Sequence, residues 1–418
     1  ELLSKRSQTS KSESIGLPLE GVRGLDMTWA WAGPFCSLNL AHLGAEVIRI
    51  ESAKRADLYR RMPVIPEDWE PTLNNSGMFN QWNQGKSSLS IDLGHEKGLE
   101  IVRQLVSKSD VLVQNFATGV LGRLGLGYDE LKSINPRLIL VSISGYGQTG
   151  PYREYMGYGP AMPPLAGLSE GTGYLGGGPQ EMGLSMPDPT AGITGTLGVV
   201  SALIKREHTG EGDHLDISLW EATAVLNLSG WMDYVVDSKQ PQRNGNRSDV
   251  MAPHGCYPCK GEDAWVSIAV SGAKEWQQLA KEISKDLPED PRFKNLSARK
   301  QNEDVLDEIV AFWTQDQDKW SVIERLQAKG VAAFPTMTTE DIVDDPHLVS
   351  RGFIERLPHP EVGEKAHTGI PWISRNTSSQ VSRSAPCLGA DTDRYLRDLL
   401  GYDDEQVAEL YDIGAVGI

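Results

Sequence analysis

Short apolar runs alternate with amphipathic stretches over the first half of the chain. Val22 to Met27 reads as a strand. Gly33-Pro34 opens a helix carrying Phe35, Leu38, Ala41 and Leu43, Gly44 stops it, and Glu46 to Ile50 gives a second strand. The alternation continues with a strand at Leu89 to Ile91, a helix over His95 to Ser107 with Leu99, Val102 and Val106 on one face, a strand at Asp110 to Val113, a helix from Tyr128 to Ile134 and a strand at Leu138 to Ile143. This pattern predicts an α/β fold with a mostly parallel sheet covered on both faces. Ligands of such sheets collect beyond the carboxyl ends of the strands, so the loops beginning at Gln114-Asn115-Phe116 and Ser144-Gly145-Tyr146 are the places to look.

From Gly145 to Gly183 the chain is rich in Gly, Pro and Tyr and reads as a long, site-forming loop; its Gly176 to Gly178 run lacks the lysine of a P-loop and reads as flexible covering. A helix then runs from Asp188 to about Glu207, with Gly192, Gly195 and Gly198 at every third residue. Glycine costs about 1 kcal/mol in a helix interior, so another backbone or a ligand comes close to that face, tight helix–sheet packing being the simpler cause. A strand at Leu215 to Leu219 and a helix through Ala222 to Tyr234 follow. Val236 to Val250 is polar and linker-like. A strand at Trp265 to Val270 and helices near Lys274 to Ile283, Asn302 to Phe312 and Trp320 to Ala328 suggest a second, smaller α+β domain. Two last helices are expected near Thr392 to Leu400 and Glu405 to Asp412. The expected divisions are residues 17–235, 250–335, 336–390 and 391–418; residues 1–16 receive no role.

Acidic residues outnumber basic ones by 57 to 40, for a formal charge of -17. That balance opposes binding to nucleic acid or an anionic membrane, and any anionic ligand must meet a local basic cluster. No apolar run approaches the roughly 20 residues of a bilayer span, and no signal-peptide core stands at the start, so a cytoplasmic protein is expected. Four cysteines in 418 residues do not suggest a disulfide scaffold. Cys256-Tyr-Pro-Cys259 with His254 nearby could gather soft ligands or act in redox chemistry, but it is a lone pair, and no metal site is expected.

The first βαβ unit lacks GxGxxG, and HExxH and Walker A patterns are missing from the chain. That scarcity favours a reaction in which a carboxylate is itself nucleophile and leaving group. Asp188-Pro189 stands at a helix start, where the carboxylate caps free amides and proline is tolerated. The plain reading is a cap; the functional one is a nucleophile held ionised beside the helix N-terminus.

In order along the chain, Ala32-Gly33-Pro34, Leu43-Gly44-Ala45-Glu46-Val47-Ile48-Arg49-Ile50-Glu51, Asn115-Phe116, Gly145-Tyr146-Gly147-Gln148-Thr149-Gly150-Pro151, Asp188 before its glycine-spaced helix, Thr209-Gly210-Glu211-Gly212, Asp344-Asp345-Pro346 and Ala385-Pro386 with Leu388-Gly389 resemble the family III coenzyme A transferases. The resemblance spans roughly residues 17 to 410. It implies a Rossmann-like large domain, a smaller second domain, last helices returning to the large domain, and dimers whose chains interlock like links. It further implies that Asp188 takes the acyl group as a mixed anhydride and then CoA as a thioester. CoA thioesters are then substrates, and no permanently bound cofactor is expected. By similarity Asn115, Phe116 and Arg123 contact CoA, with Lys86 a candidate for its phosphates; Arg60 and Arg61 read as surface charges.

Trp31 stands where the formate-using members have glutamine, and Ser144 where they have lysine. With Trp29, this points to a larger, apolar or aromatic acid in place of formate or oxalate, and Tyr158 and Gln148 join the expected substrate pocket. Two other readings stay open. An acyl-CoA racemase of the same fold would carry His-Asp where this chain has Tyr158-Gly159, and a noncatalytic CoA-binding subunit of a heteromer would not need Asp188. A homodimer is expected, with a related partner subunit as the other arrangement.

Overall fold

Six strands form one sheet: β1 (Arg23–Met27), β2 (Glu46–Glu51), β3 (Ser87–Ser90), β4 (Val111–Gln114), β5 (Ile139–Ser144) and β6 (Asp213–Ser218). All neighbours pair in parallel, in the order β3-β2-β1-β4-β5-β6. This is the doubly wound order, with its switch point between β1 and β4, where the chain leaves the sheet in opposite directions. Side chains such as Leu25, Ile48, Val113 and Val141 are almost fully buried, each adding about 1.5–3 kcal/mol relative to exposure.

The computed structural model describes residues 16–417 except 63, 184, 378–380 and 382. They fall into two units: the described residues of Glu1–Leu168, Met182–Met232 and Pro346–Ile418, and those of Ser169–Glu181 with Asp233–Asp345.

In the first unit, α1 (Ala32–His42), α2 (Leu58–Arg61) and α3 (Gly77–Trp82) flank the β1–β3 edge. The Asp188 helix, Pro187–Thr209, lies against α1. Its glycine spacing is explained by that contact. A Cβ on Gly192 would stand 2.8 Å from the Ala32 carbonyl oxygen and 3.1 Å from the Cys36 nitrogen, and one on Gly195 would stand 3.1 Å from Cys36 Sγ. The nearest neighbour of Gly192 and Gly195 is thus a second helix, while Gly195 also meets Ile143 Cδ1 of β5 at 3.4 Å and Gly198 meets Leu215 Cδ1 of β6 at 3.1 Å.

β3 falls on Ser87–Ser90, earlier than the apolar Leu89–Ile91 suggests. Its serines are buried yet satisfied; Ser88 Oγ, for example, donates to Glu51. The long loop after β5 contains short helical turns at Gly159–Ala161, Met162–Leu165 and Leu168–Gly171, too brief to leave a periodic signal. The single helix expected through Ala222 to Tyr234 is divided into Leu219–Ala224, a 3-10 turn at Val225–Asn227, and Leu228–Asp237. Within 336–390 lies an antiparallel hairpin of Ile354–His359 with Gly363–Thr368.

The last described segment covers the free edge of β3. Asp391 N–H donates to Ser88 O at 2.9 Å, Gly417 N–H to Ser90 O at 3.2 Å, and Ser90 N–H to Thr392 Oγ1 at 2.9 Å. Tyr395, Leu396, Val407 and Leu410 enter the same core as Leu25 and Leu89. An edge strand so covered offers no template for another chain.

The second unit holds the antiparallel sheet β7 (His254–Pro258), β8 (Trp265–Ala269) and β9 (Ala332–Pro335). Trp276, Leu279, Phe293, Leu306 and Val310 from its helices pack with Val266 and Ile268. Cys259 is buried, whereas Cys256 Sγ lies 3.7 Å from Thr336 Oγ1. All four cysteines are free, and among the described residues no cluster of three His, Cys, Asp or Glu is placed to hold a metal. Among them, too, no helix is long and apolar enough to cross a membrane.

Candidate active site

The carboxyl ends of β1 and β4 open onto a cavity of about 860 Å³ in the first unit, which the β5 loop and the start of the Asp188 helix also line. Asp188, Asn115, Phe116, Arg123, Gln148 and Tyr158 come together here, joined by Trp29, Ser144 and Gly159. They come from loops far apart in sequence, because the sheet brings strand ends together at its switch point.

Asp188 is the second residue of its helix, after Pro187, and is half-buried. Burial pushes its carboxyl above the usual carboxylate range; a hydrogen bond from the Ser185 hydroxyl and the N–H groups of Ala32 and of Asp188 itself pull it back without cancelling the rise. A helix start alone predicts the opposite direction, and desolvation outweighs it. Gly159 is required at its side, since a Cβ there would stand 1.8 Å from Asp188 Oδ2. The Tyr59 phenol is pushed up to about 12 by its burial, with the Asp188 and Asp57 charges adding to the effect.

Asn115 is engaged differently from a free ligand contact. Its Oδ1 accepts from Trp29 N–H and its Nδ2 donates to Trp29 O, both at 2.8 Å. Phe116 rests partly on the core, and Arg123 is exposed at the end of a short helix. Arg153, which no motif marks, supplies a second guanidinium on the lining, 3.4 Å from Glu154. Gln148 reaches Ser144 Oγ at 3.2 Å. Tyr146, Tyr152, Tyr155 and Trp220 pack ring against ring, and Tyr155, Met156 and Tyr158 stand exposed.

Three expectations are corrected. Lys86 is wholly buried, its ammonium 2.9 Å from each of Asp26 Oδ2, the Pro34 carbonyl and Asn83 Oδ1, so it cannot meet phosphates in the cavity. Arg60 is likewise buried and paired with Glu51 at 2.7 Å, while Arg61 is exposed. Trp31 turns away from the cavity, buried and stacked on Trp82 with ring centroids 4.9 Å apart; Trp29 takes its place on the lining. Beneath the β1 loop lie three acids and three bases, Asp26, Glu51 and Asp57 against Arg49, Arg60 and Lys86. Nothing local in the sequence marks these charges as an interior network.

The cavity thus presents a carboxylate drawn partly out of water, with no histidine, cysteine or lysine among the described lining residues. The chain belongs to CoA-transferase family III, whose model matches residues 19–392. It is 32% identical over 399 residues to succinyl-CoA–D-citramalate CoA-transferase of Chloroflexus aurantiacus, covering 94% of this chain and 96% of the relative. Formyl-CoA:oxalate CoA-transferase of Streptomyces coelicolor is 31% identical, with coverages of 95% and 99%. A crystal structure of a CaiB/BaiF family protein from Brucella suis superposes with a TM-score of 0.84 at 30% identity, covering 92% of this chain and 100% of that one. The chain is accordingly a CoA-transferase acting between acyl-CoA thioesters and acids.

Proposed function

We propose that this enzyme moves CoA from an acyl-CoA such as succinyl-CoA to a larger or aromatic carboxylic acid, with Asp188 carrying the acyl group and CoA in turn. The observation that carries the reading is the desolvated Asp188 carboxylate at a helix start, open to a cavity of about 860 Å³. A carboxylate oxygen attacks the thioester carbonyl, the C–S bond breaks, and CoA leaves as thiolate. The thiolate then attacks the aspartyl carbonyl of the mixed anhydride, releasing the donor acid and leaving Asp188 as the CoA thioester. The acceptor carboxylate attacks that thioester, and the freed thiolate attacks the acceptor's carbonyl in the new anhydride, regenerating Asp188. No proton moves, which suits a lining without imidazole. The Ala32 and Asp188 N–H groups that bond the Asp188 carboxylate are the donors this reading offers to the oxyanion that forms on the aspartyl carbonyl oxygen, and one such donor is typically worth about 3 kcal/mol.

Phe116, Arg123 and Arg153 are the groups offered to CoA, whose distant contacts hold the thioester against the carboxylate. Succinyl-CoA as donor is supported by the name of the Chloroflexus relative. The apolar or aromatic acceptor rests on Trp29, Tyr155, Met156 and Tyr158 along the lining. A homodimer is part of the same reading: Leu228, Trp231, Tyr234, Val235 and Val236 are each more than half exposed on one helix, and an exposed apolar helix face of this kind is suited to burial in an interface. Light scattering on the purified protein should give twice the chain mass.

Incubation with succinyl-CoA and hydroxylamine should convert Asp188 to its hydroxamate and stop exchange. Exchange that persists in Asp188→Ala overturns the nucleophile. A mass-spectrometric screen of acids tests the acceptor, and preference for formate or oxalate over aromatic acids overturns that part.

A further inference from the structure

The turn joining β1 to α1 is held amide by amide. Thr28 N–H donates to Asp26 Oδ1 at 2.9 Å, Trp29 N–H to Asn115 Oδ1 at 2.8 Å, and Ala30 N–H lies between the two oxygens of Asp57 at 3.1 and 3.2 Å. Ala30 has φ +61, the left-handed region that alanine avoids and glycine enters freely. A residue kept there needs restraint from its surroundings. Asp57 can give it: it is buried, takes the Arg49 guanidinium at 2.5 Å, and caps α2 through Tyr59 N–H at 2.7 Å. Asn115 holds the neighbouring peptide from the other side by its two bonds to Trp29. Two residues past Ala30, the N–H of Ala32 begins α1 and faces Asp188, and both line the same cavity. The Ala32 carbonyl lies so close to Gly192 of the Asp188 helix that a Cβ there would stand 2.8 Å from its oxygen.

Resting on the reading of Asp188 as nucleophile, we infer that Asp57 and Asn115 are positioning residues for CoA transfer: together they clamp the Trp29–Ala30 turn in its left-handed form and so aim the first amide of α1 at the Asp188 carboxylate. Their effect passes through backbone. Asp57→Asn puts an N–H₂ against either the Arg49 guanidinium or the α2 amide and weakens the hold on Ala30. Asn115→Ala removes the hold on Trp29.

The test uses the full chain, with folding of each variant checked by circular dichroism. Both variants should lose kcat by roughly 10- to 100-fold, the scale of a small misplacement at a reacting centre, with KM for the thioester little changed. The acid limb of the pH profile should move to higher pH, because the carboxylate has lost a donor that favours its charged form. Adding Ala30→Gly to either variant should restore much of the lost kcat, since glycine adopts the left-handed conformation unaided; loss of a purely structural contact would not respond. Unchanged kcat in both variants overturns the inference, as does a loss with no shift of the acid limb and no recovery with glycine. If Asp57→Asn does not fold, Asn115→Ala carries the same readouts. Asp188→Ala, run alongside, separates the two readings: exchange surviving there overturns the nucleophile, whereas exchange lost there but intact in both clamp variants overturns the clamp alone.

Discussion

A carboxylate drawn out of water is, when ionised, a burden on the folded state. Asp188 has a folded-state pKa above the ordinary 3.8, so between the two values the native chain holds more protons than the unfolded one, and this group's contribution to stability falls as pH rises through that window. Asp188→Asn should therefore abolish exchange while raising the melting temperature, as read by calorimetry near neutral pH. In the wild type, kcat/KM should rise with pH through the same raised pKa. Lys86 behaves in the opposite sense. Removing its ammonium in Lys86→Met leaves Asp26 short of a partner in the interior, and breaking such a pair costs about 3–5 kcal/mol, measurable by urea unfolding. From the sequence Lys86 looked like a phosphate contact because nothing near it reveals Asp26, 60 residues away. Asp188 was legible as a helix-start carboxylate, and the family from the ordered motifs; its place on the cavity lining depends on the β5 loop folding beside it.

Packing of α1 on the Asp188 helix makes the glycines of that helix unequal. A Cβ at Gly192 meets backbone of α1 at 2.8 and 3.1 Å, which cannot yield as a side chain can. Gly192→Ala should cost about 1–3 kcal/mol and reduce kcat, because α1 begins at Ala32. Gly198→Ala meets only the end of Leu215, and the gain in helix propensity of up to about 1 kcal/mol should leave stability level or improved. Paired thermal melts distinguish the two. Strands and helices of the large sheet could be read from periodicity to within a few residues because their buried faces repeat regularly. β3 begins earlier than that reading because three of its four buried residues are serines, of which Ser88 bonds Glu51 of the charge network. The three-residue glycine spacing gave the close approach but not its partner, which is fixed only when the sheet brings α1 alongside.

Across the molecule, the interior charges tie stability to pH. Asp26 and Glu51 are held below their ordinary 3.8 and 4.5 mainly by facing Lys86, Arg49 and Arg60, against the opposing pull of burial. The stability they add is present above those ordinary values and is lost as pH falls through the lower folded ones. Melting temperature should drop steeply below about pH 4, against the smaller opposite trend from Asp188. Deleting residues 391–418 should leave the chain largely insoluble, since Tyr395, Leu396, Val407 and Leu410 would no longer cover the core beside β3.

That covering has a consequence in time. Thr392 meets Ser90 across a separation of 302 residues, and a ribosome adding about 5–20 residues per second needs roughly 15–60 s to supply it. Throughout that interval the nascent sheet presents a bare strand, so the enzyme's yield in a cell depends on what shields the edge before the chain's own last helices arrive.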